Sequence, residues 1–272
     1  MKSFFSKCAA LAVTALLAAS TGTASADDLK LGVQTWTLRN LSFDQVVEFC
    51  QKHQIKYLEL IPDHIGLDKK EGWPAKKEAM EKAGLIPYTF GVAGTSLDKE
   101  QNRKLFECAK FFGMKLIVVE PGDFKIFDSL EELAKEYDIK VAIHNHGIKS
   151  MYGNPLVVQN VLMHRDPKYI GVCLDVGWIA SSRIDAAKTF KEYKGRVFDV
   201  HLKDKKVNST ESGDVATDTF LGEGDAKLPM LFKALKDANY QGVMAVETDN
   251  NLKDPTEHMT KAIEYTKANA PK

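Results

Sequence analysis

Short runs of Val, Ile and Leu recur eight times along the chain, and polar-spaced segments separate them. The runs are LKLGVQTW (around residues 30–36), KYLELI (56–61), LIPYTFGV (85–92), KLIVVE (115–120), KVAIH (140–144), IGVCLD (170–175), RVFDVHL (196–202) and GVMAVE (242–247). Each is short, β-branched and apolar on both faces, which is the signature of a strand covered on both sides. The segments between them have helical spacing. Phe43, Val46, Val47 and Cys50 fall at i, i+3, i+4 and i+7, one stripe of a helix. Ser42 with Gln45 reads as a capping box for that helix, and Ser129 with Glu132 as a second one. Asp254 followed by Pro255 predicts a cap and a first-turn proline for the last helix.

Eight strands, each followed by a helical segment over about 250 residues, predict a single α/β domain, a closed (β/α)₈ barrel. No glycine-rich dinucleotide fingerprint follows the first strand, which disfavours an open doubly wound sheet. One connection departs from the pattern. Residues 203–227, KDKKVNSTESGDVATDTFLGEGDAK, are too long and polar for an ordinary βα loop. They are expected to overhang the C-terminal face of the barrel, as a lid or as a surface for a neighbouring subunit.

Residues 1–26 stand apart. Lys2 and Lys7 precede the apolar run CAALAVTALLAA, and ASA ends it at Ala26. This is the three-part pattern of a secretory signal peptide, too short to span a bilayer, which takes about 20 residues. It predicts an exported protein, periplasmic or secreted, whose barrel domain occupies residues 27–272, with no membrane contact after cleavage. Removing the segment takes away two lysines and no acid, so the formal charge moves from zero to −2. That balance gives no basic footprint for nucleic acid. Cys50, Cys108 and Cys173 remain. Each lies in an apolar pattern, and three cysteines in so long a chain read as buried free thiols rather than a disulfide framework.

In a (β/α)₈ barrel the active site lies at the C-terminal strand ends, and these ends are polar. Strand four ends at Glu120, strand five at His144 with His146 beyond, strand six at Asp175, strand seven at His201 with Lys203 beyond, and strand eight at Glu247. Strands about 4.8 Å apart bring such residues to one point above the barrel mouth. His144, Asp175, His201 and Glu247 make a two-imidazole, two-carboxylate set suited to one divalent ion. Mn²⁺ comes first, with Mg²⁺, Co²⁺ and Zn²⁺ as alternatives. Without a cation, Asp175 and Glu247 are expected to repel, raising one carboxyl pKa. His146, two residues beyond His144 on the same side, is expected to face substrate, with Glu120 as ligand, base or partner of His146. Gln34, Trp36 and Arg39 end strand one, Glu59 lies within strand two, and His64 in the loop after it. Trp178 is a candidate apolar wall for a sugar ring. Gly222 and Gly224 in LGEGD either bring backbone amides to substrate or form a turn. His53, His164 and His258 fall in helical or loop contexts and are expected at the surface.

At these residues the chain resembles the xylose isomerase-like barrels, the sugar isomerase/epimerase superfamily that includes the endonuclease IV type. The likeness covers the mature chain and rests, in order, on QTWTLR, AIHNHG, CLDVGW, DVHLKD, LGEGD and AVET. The resemblance implies a divalent metal held from strands five to eight, matching His144, Asp175, His201 and Glu247. Many members carry glutamate where this chain has His144, which departs from the two-glutamate arrangement of the ketose 3-epimerases. The HNHG form resembles an exported branch related to lyases and hydratases of 3-keto sugars and their glycosides. The extra metal-binding histidines and basic surface of endonuclease IV are missing, and no arginine cluster for a sugar phosphate is evident.

The combined expectation is a metal-dependent enzyme that removes a proton next to the carbonyl of a small unphosphorylated carbohydrate. His146 or Glu120 would take the proton. Lys203 or His64 would protonate or orient the departing oxygen, and Gln34, Trp36 and Trp178 would contact substrate. Isomerisation or epimerisation is placed first and elimination from a keto sugar second. A barrel that binds carbohydrate without turnover is the alternative from another class. A homo-oligomer is compatible with all three.

Overall fold

The computed structural model describes residues 30–270; the candidate signal segment lies outside them. Eight parallel strands form one sheet: β1 (Lys30–Gln34), β2 (Tyr57–Leu60), β3 (Ile86–Phe90), β4 (Leu116–Val119), β5 (Lys140–His144), β6 (Ile170–Asp175), β7 (Val197–Leu202) and β10 (Val243–Val246). Their order is β3-β2-β1-β10-β7-β6-β5-β4. The seam between β3 and β4 is drawn together by a parallel bridge from Ala93 to Val119 and by the Ala93 amide donating to Val118 O at 2.9 Å. The Thr89 hydroxyl donates across the same seam to Leu116 O at 2.9 Å. The result is the expected single (β/α)₈ barrel.

Strand periodicity sorts side chains into two shells. Ile117, Val119, Val141, Ile143, Val172, Leu174, Val200 and Leu202 belong to the large buried core under the helices. Leu116, Val118, Ala142 and Cys173 form a separate cluster inside the barrel. The residues next along those inward rows are His144 and Asp175, so strand parity alone aims them into the mouth. Parallel register sets Asp175 opposite His201 and His144 opposite Cys173.

Local chemistry fixes the helices. In α1 (Phe43–Lys52) the Ser42 capping box forms in both directions. The second expected box does not. Helix α5 (Ile126–Tyr137) begins upstream, where Asp123 Oδ1 accepts from the Lys125 amide at 2.8 Å. Ser129 therefore lies inside the helix, donating to Ile126 O and accepting from Asn102. For α10 (Thr256–Asn269), Asp254 Oδ1 accepts from the Thr256 amide at 2.9 Å, and Pro255 sits at the cap position rather than in the first turn. Cys50, Cys108 and Cys173 are buried and free. His164 is exposed and His53 half-buried. His258 corrects its expectation: it is buried, its ring stacked on Phe220 at 4.8 Å.

The long excursion after β7 is a hairpin, not a loop. Strands β8 (Asp204–Thr210) and β9 (Gly213–Thr219) pair antiparallel along their whole length. Its base is fastened to the segment after β10, where Lys205 Nζ donates to Asp218 at 2.7 Å and to Asp249 at 2.9 Å.

Candidate metal centre and active site

Helix α7 (Val176–Ser181) starts directly at the end of β6, and this junction prepares Asp175. Its Oδ1 caps the helix by accepting from the Trp178 amide at 2.8 Å. The backbone of Asp175 is held by Asn145, whose amide group donates to Asp175 O at 3.1 Å and accepts from Asp175 N at 3.0 Å. With the main chain clamped and one oxygen spent, Asp175 Oδ2 is left facing the barrel mouth. It is buried and accepts no hydrogen bond. Other buried atoms at the mouth share that condition, among them His144 Nδ1, His201 Nδ1 and Glu247 Oε2.

These atoms lie together. His201 Nδ1 is 2.9 Å from Glu247 Oε2 and 3.9 Å from Asp175 Oδ2, and His144 Nε2 is 3.6 Å from Asp175 Oδ2. Divalent ions of this class hold nitrogen and oxygen ligands at about 2.0–2.2 Å, which separates neighbouring ligand atoms by roughly 3–3.5 Å. His144, Asp175 and His201 form the compact part of the set, with ligand atoms mutually within 4.8 Å. Glu247 extends it through His201. Orphaned buried polar atoms are costly unless something satisfies them, so the donor set fits a divalent cation.

A cation of another kind already stands beside them. The buried Lys203 ammonium is 3.0 Å from Asp175 Oδ2 and 3.3 Å from Glu247 Oε2, while its hydrogen bond goes to Asp249 Oδ1 at 2.7 Å. The expected rise of one carboxyl pKa is thereby overturned. Burial pushes both acids up, but Lys203 and the imidazoles outweigh it. Asp175 falls below its ordinary range and Glu247 is brought down to about 2. Burial disfavours the charge on Lys203, yet Asp175, Glu247 and Asp249 hold its pKa well above the usual value.

A second pair lies beside the donor set. His146 Nδ1 is 2.5 Å from Glu120 Oε2, and the His146 ring stands edge-on to His144 at 4.7 Å and to Trp178 at 5.3 Å. Burial raises the Glu120 carboxyl, but His144 and His146 bring it down to about 2, so it is an ionised acceptor. His144 is buried whereas His146 is 41% exposed at its side chain. The inner histidine faces the donor set and the outer one the open cavity. That cavity measures about 520 Å³ and is walled by Trp36, Ile61, Pro62, Val92 and Trp178, with Lys203 and Glu247 at its base.

A family model described as xylose isomerase-like TIM barrel matches residues 47–269. The chain belongs to this family. Among curated relatives, an inosose dehydratase of Clostridium perfringens is 29% identical over 153 residues, covering 52% of this chain and 51% of the relative. The chain thus spans about half the length of the curated relatives it matches. Among solved structures, the probable 3-DHS dehydratase AsbF of Bacillus anthracis superposes with a TM-score of 0.73 at 13% identity, covering 89% of this chain and 100% of that one. The IOLI protein, solved with a bound zinc atom, superposes with a TM-score of 0.67 at 18% identity, covering 89% and 98%.

Within this xylose isomerase-like barrel the remaining candidates divide. Gln34 lines the cavity, but its amide is spent on the backbone, donating to Gly91 O at 3.1 Å and accepting from Trp36 N at 2.9 Å. Trp36 is 43% exposed at the rim, beneath the Arg39 guanidinium at 4.4 Å. His64 does not take the expected place. It lies on a short helix, α2 (Pro62–Ile65), with Nε2 bonded to Leu41 O at 3.1 Å, and its neighbour Asp63 lines the cavity instead. Gly222 and Gly224 serve a turn: their amides donate to Asp204 Oδ2 at 2.9 and 3.0 Å. A Cβ at Gly224 would collide with the Asp204 carboxylate, so the close approach requires glycine. Three polar groups escaped sequence reasoning: Asn145, Asp199 and Tyr88. Asp199 was findable, since it lies two residues before His201 on the same strand face.

Proposed function

We propose that this barrel eliminates water from a small keto carbohydrate, beginning with loss of the proton next to the carbonyl. The observation that carries this is that one cavity is lined by both His146, which is paired with Glu120, and Lys203, with His144 and Glu247 of the donor set beside them. Glu120 accepts from Nδ1 of His146 and leaves the other ring nitrogen bare to take a proton. As the C–H bond breaks, its electron pair forms a double bond to the next carbon and the C–O bond there is released. Lys203 hydrogen-bonds the departing oxygen, and the proton taken by His146 balances the hydroxide released as water. His144, Asp175, His201 and Glu247 would hold a divalent ion, which would supply Lewis acidity toward the carbonyl. Trp36 and Trp178 give the sugar ring apolar faces and exclude water. The names of the inosose dehydratase and 3-DHS dehydratase relatives support elimination over isomerisation, which shares the first step and remains the second reading. The signal pattern of residues 1–26 supports placing the reaction outside the cytoplasm.

The test is incubation of the purified protein with polyhydroxylated ketones and keto-glycosides in D₂O, with and without EDTA. Deuterium uptake beside the carbonyl and an unsaturated product, both abolished by EDTA, are expected. An epimer without unsaturated product returns the isomerase reading. Binding without any exchange leaves only a carbohydrate-binding barrel.

A further inference from the structure

Below the donor set the barrel interior holds two fully buried carboxyl groups, Glu59 on β2 and Asp199 on β7. Burying one carboxylate is expensive, and burying two side by side more so, so a purpose beyond packing is called for. Glu59 Oε2 lies 2.8 Å from His201 Nε2. The Tyr88 hydroxyl reaches both acids, 3.2 Å from Glu59 Oε2 and 3.1 Å from Asp199 Oδ1. Asp199 Oδ2 stands 3.8 Å from His201 Nε2 and accepts from Cys173 Sγ at 3.7 Å. On the opposite edge of the same imidazole, Nδ1 faces Glu247 and Asp175 with no hydrogen bond.

We propose that Glu59, steadied by Tyr88, is a positioning residue that keeps the His201 proton on Nε2 and so presents the Nδ1 lone pair to the candidate ion. The proposal rests on the metal-centre reading above. A neutral imidazole carries one N–H, and the group bonded to one nitrogen decides what the other offers. Here carboxylates stand at both edges. Glu247 alone would draw the proton to Nδ1 and close the ligand position. Glu59, at 2.8 Å and buried on all sides, competes for it from below. Register contributes, because β1 pairing sets Glu59 opposite Gln34, the last residue of β1. Tyr88 then fixes the carboxylate by holding the oxygen that meets the ring.

Long-range ¹H–¹⁵N correlation on ¹⁵N-histidine-labelled protein reads the tautomer directly, with the His201 signals assigned by their loss in His201→Gln. It is run on metal-free protein at alkaline pH and on protein given Zn²⁺, alongside Zn²⁺ affinity. Expected are a proton on Nε2 in the native protein, its transfer to Nδ1 in Glu59→Gln, and an affinity loss of about 10–100-fold in that variant. Glu59→Asp is expected to recover part of the affinity. Tyr88→Phe, which keeps both carboxyls, should show a smaller loss and serves if Glu59→Gln does not fold. A proton on Nδ1 in the native metal-free protein overturns the proposal, as does an unchanged tautomer and affinity in Glu59→Gln. If the tautomer depends on Glu59 yet no ion binds, the positioning stands and the metal-centre reading falls.

Discussion

Lys203 Nζ stands 3.0 Å from Asp175 Oδ2, buried at the base of the cavity in the barrel mouth. The chain thus carries its own counter-charge to the carboxylates of the donor set. Removing it leaves buried acids uncompensated, which costs about 3–5 kcal/mol for a broken buried pair. Lys203→Met is therefore expected to lower the melting temperature of the EDTA-treated protein sharply, with most of the loss recovered on adding Mn²⁺. Equal destabilisation with and without the ion would mean that Lys203 serves packing alone.

His146 faces the cavity rather than the donor set. His146→Ala should bind its metal with native stoichiometry while the rate of proton removal falls by about 10²–10⁴-fold. Elemental analysis and the deuterium-exchange rate together check this. A metal-depleted variant would reverse the roles given to the two histidines.

Asn145 is predicted to matter through Asp175 alone. Asn145→Ala strips partners from a buried amide and a buried carbonyl, each worth about 1–3 kcal/mol when left unmet. Urea unfolding should show a loss of that order, and metal affinity should fall with it. Asn145→Asp keeps only the acceptor and should fall between.

The thiols give a pH prediction. Burial pushes Cys50 and Cys108 up to about 12 from an ordinary 9.0. Their folded pKa is raised, so the associated stability is complete below pH 9 and is lost as pH rises toward 12. Each thiol contributes a slope of at most about 1.4 kcal/mol per pH unit in that window. Cys50→Ser and Cys108→Ser should flatten the alkaline limb of denaturation, and neither thiol should react with a disulfide reagent before unfolding.

The barrel was legible because its signals are local and repeated. Strand ends such as Asp175 and His201 announced themselves by a polar residue after an apolar run, and the two-residue spacing set His146 one step outside His144 on the same side. What escaped reading depends on contacts distant in sequence. Asp199 and Tyr88 meet across the barrel, a partnership that neither VFDVHL nor LIPYTFGV reveals. Gln34 looked available for substrate until its two backbone partners were seen. His64 was misplaced because a single turn of helix decides whether it or Asp63 looks inward.

Asp204 and the turn it gathers have a wider bearing. One carboxylate receives amides from Gly222, Gly224 and Ala226, and from Lys205 beside it. Departure and return of the hairpin are knotted at a single side chain. The tip, around Glu211, lies away from the root that seats Lys203 and Lys205, and is held separately by Arg183 on Ser209 and Asp214. Such an appendage is free to be lengthened, shortened or rewritten for new substrates while the chemistry beneath it stays put.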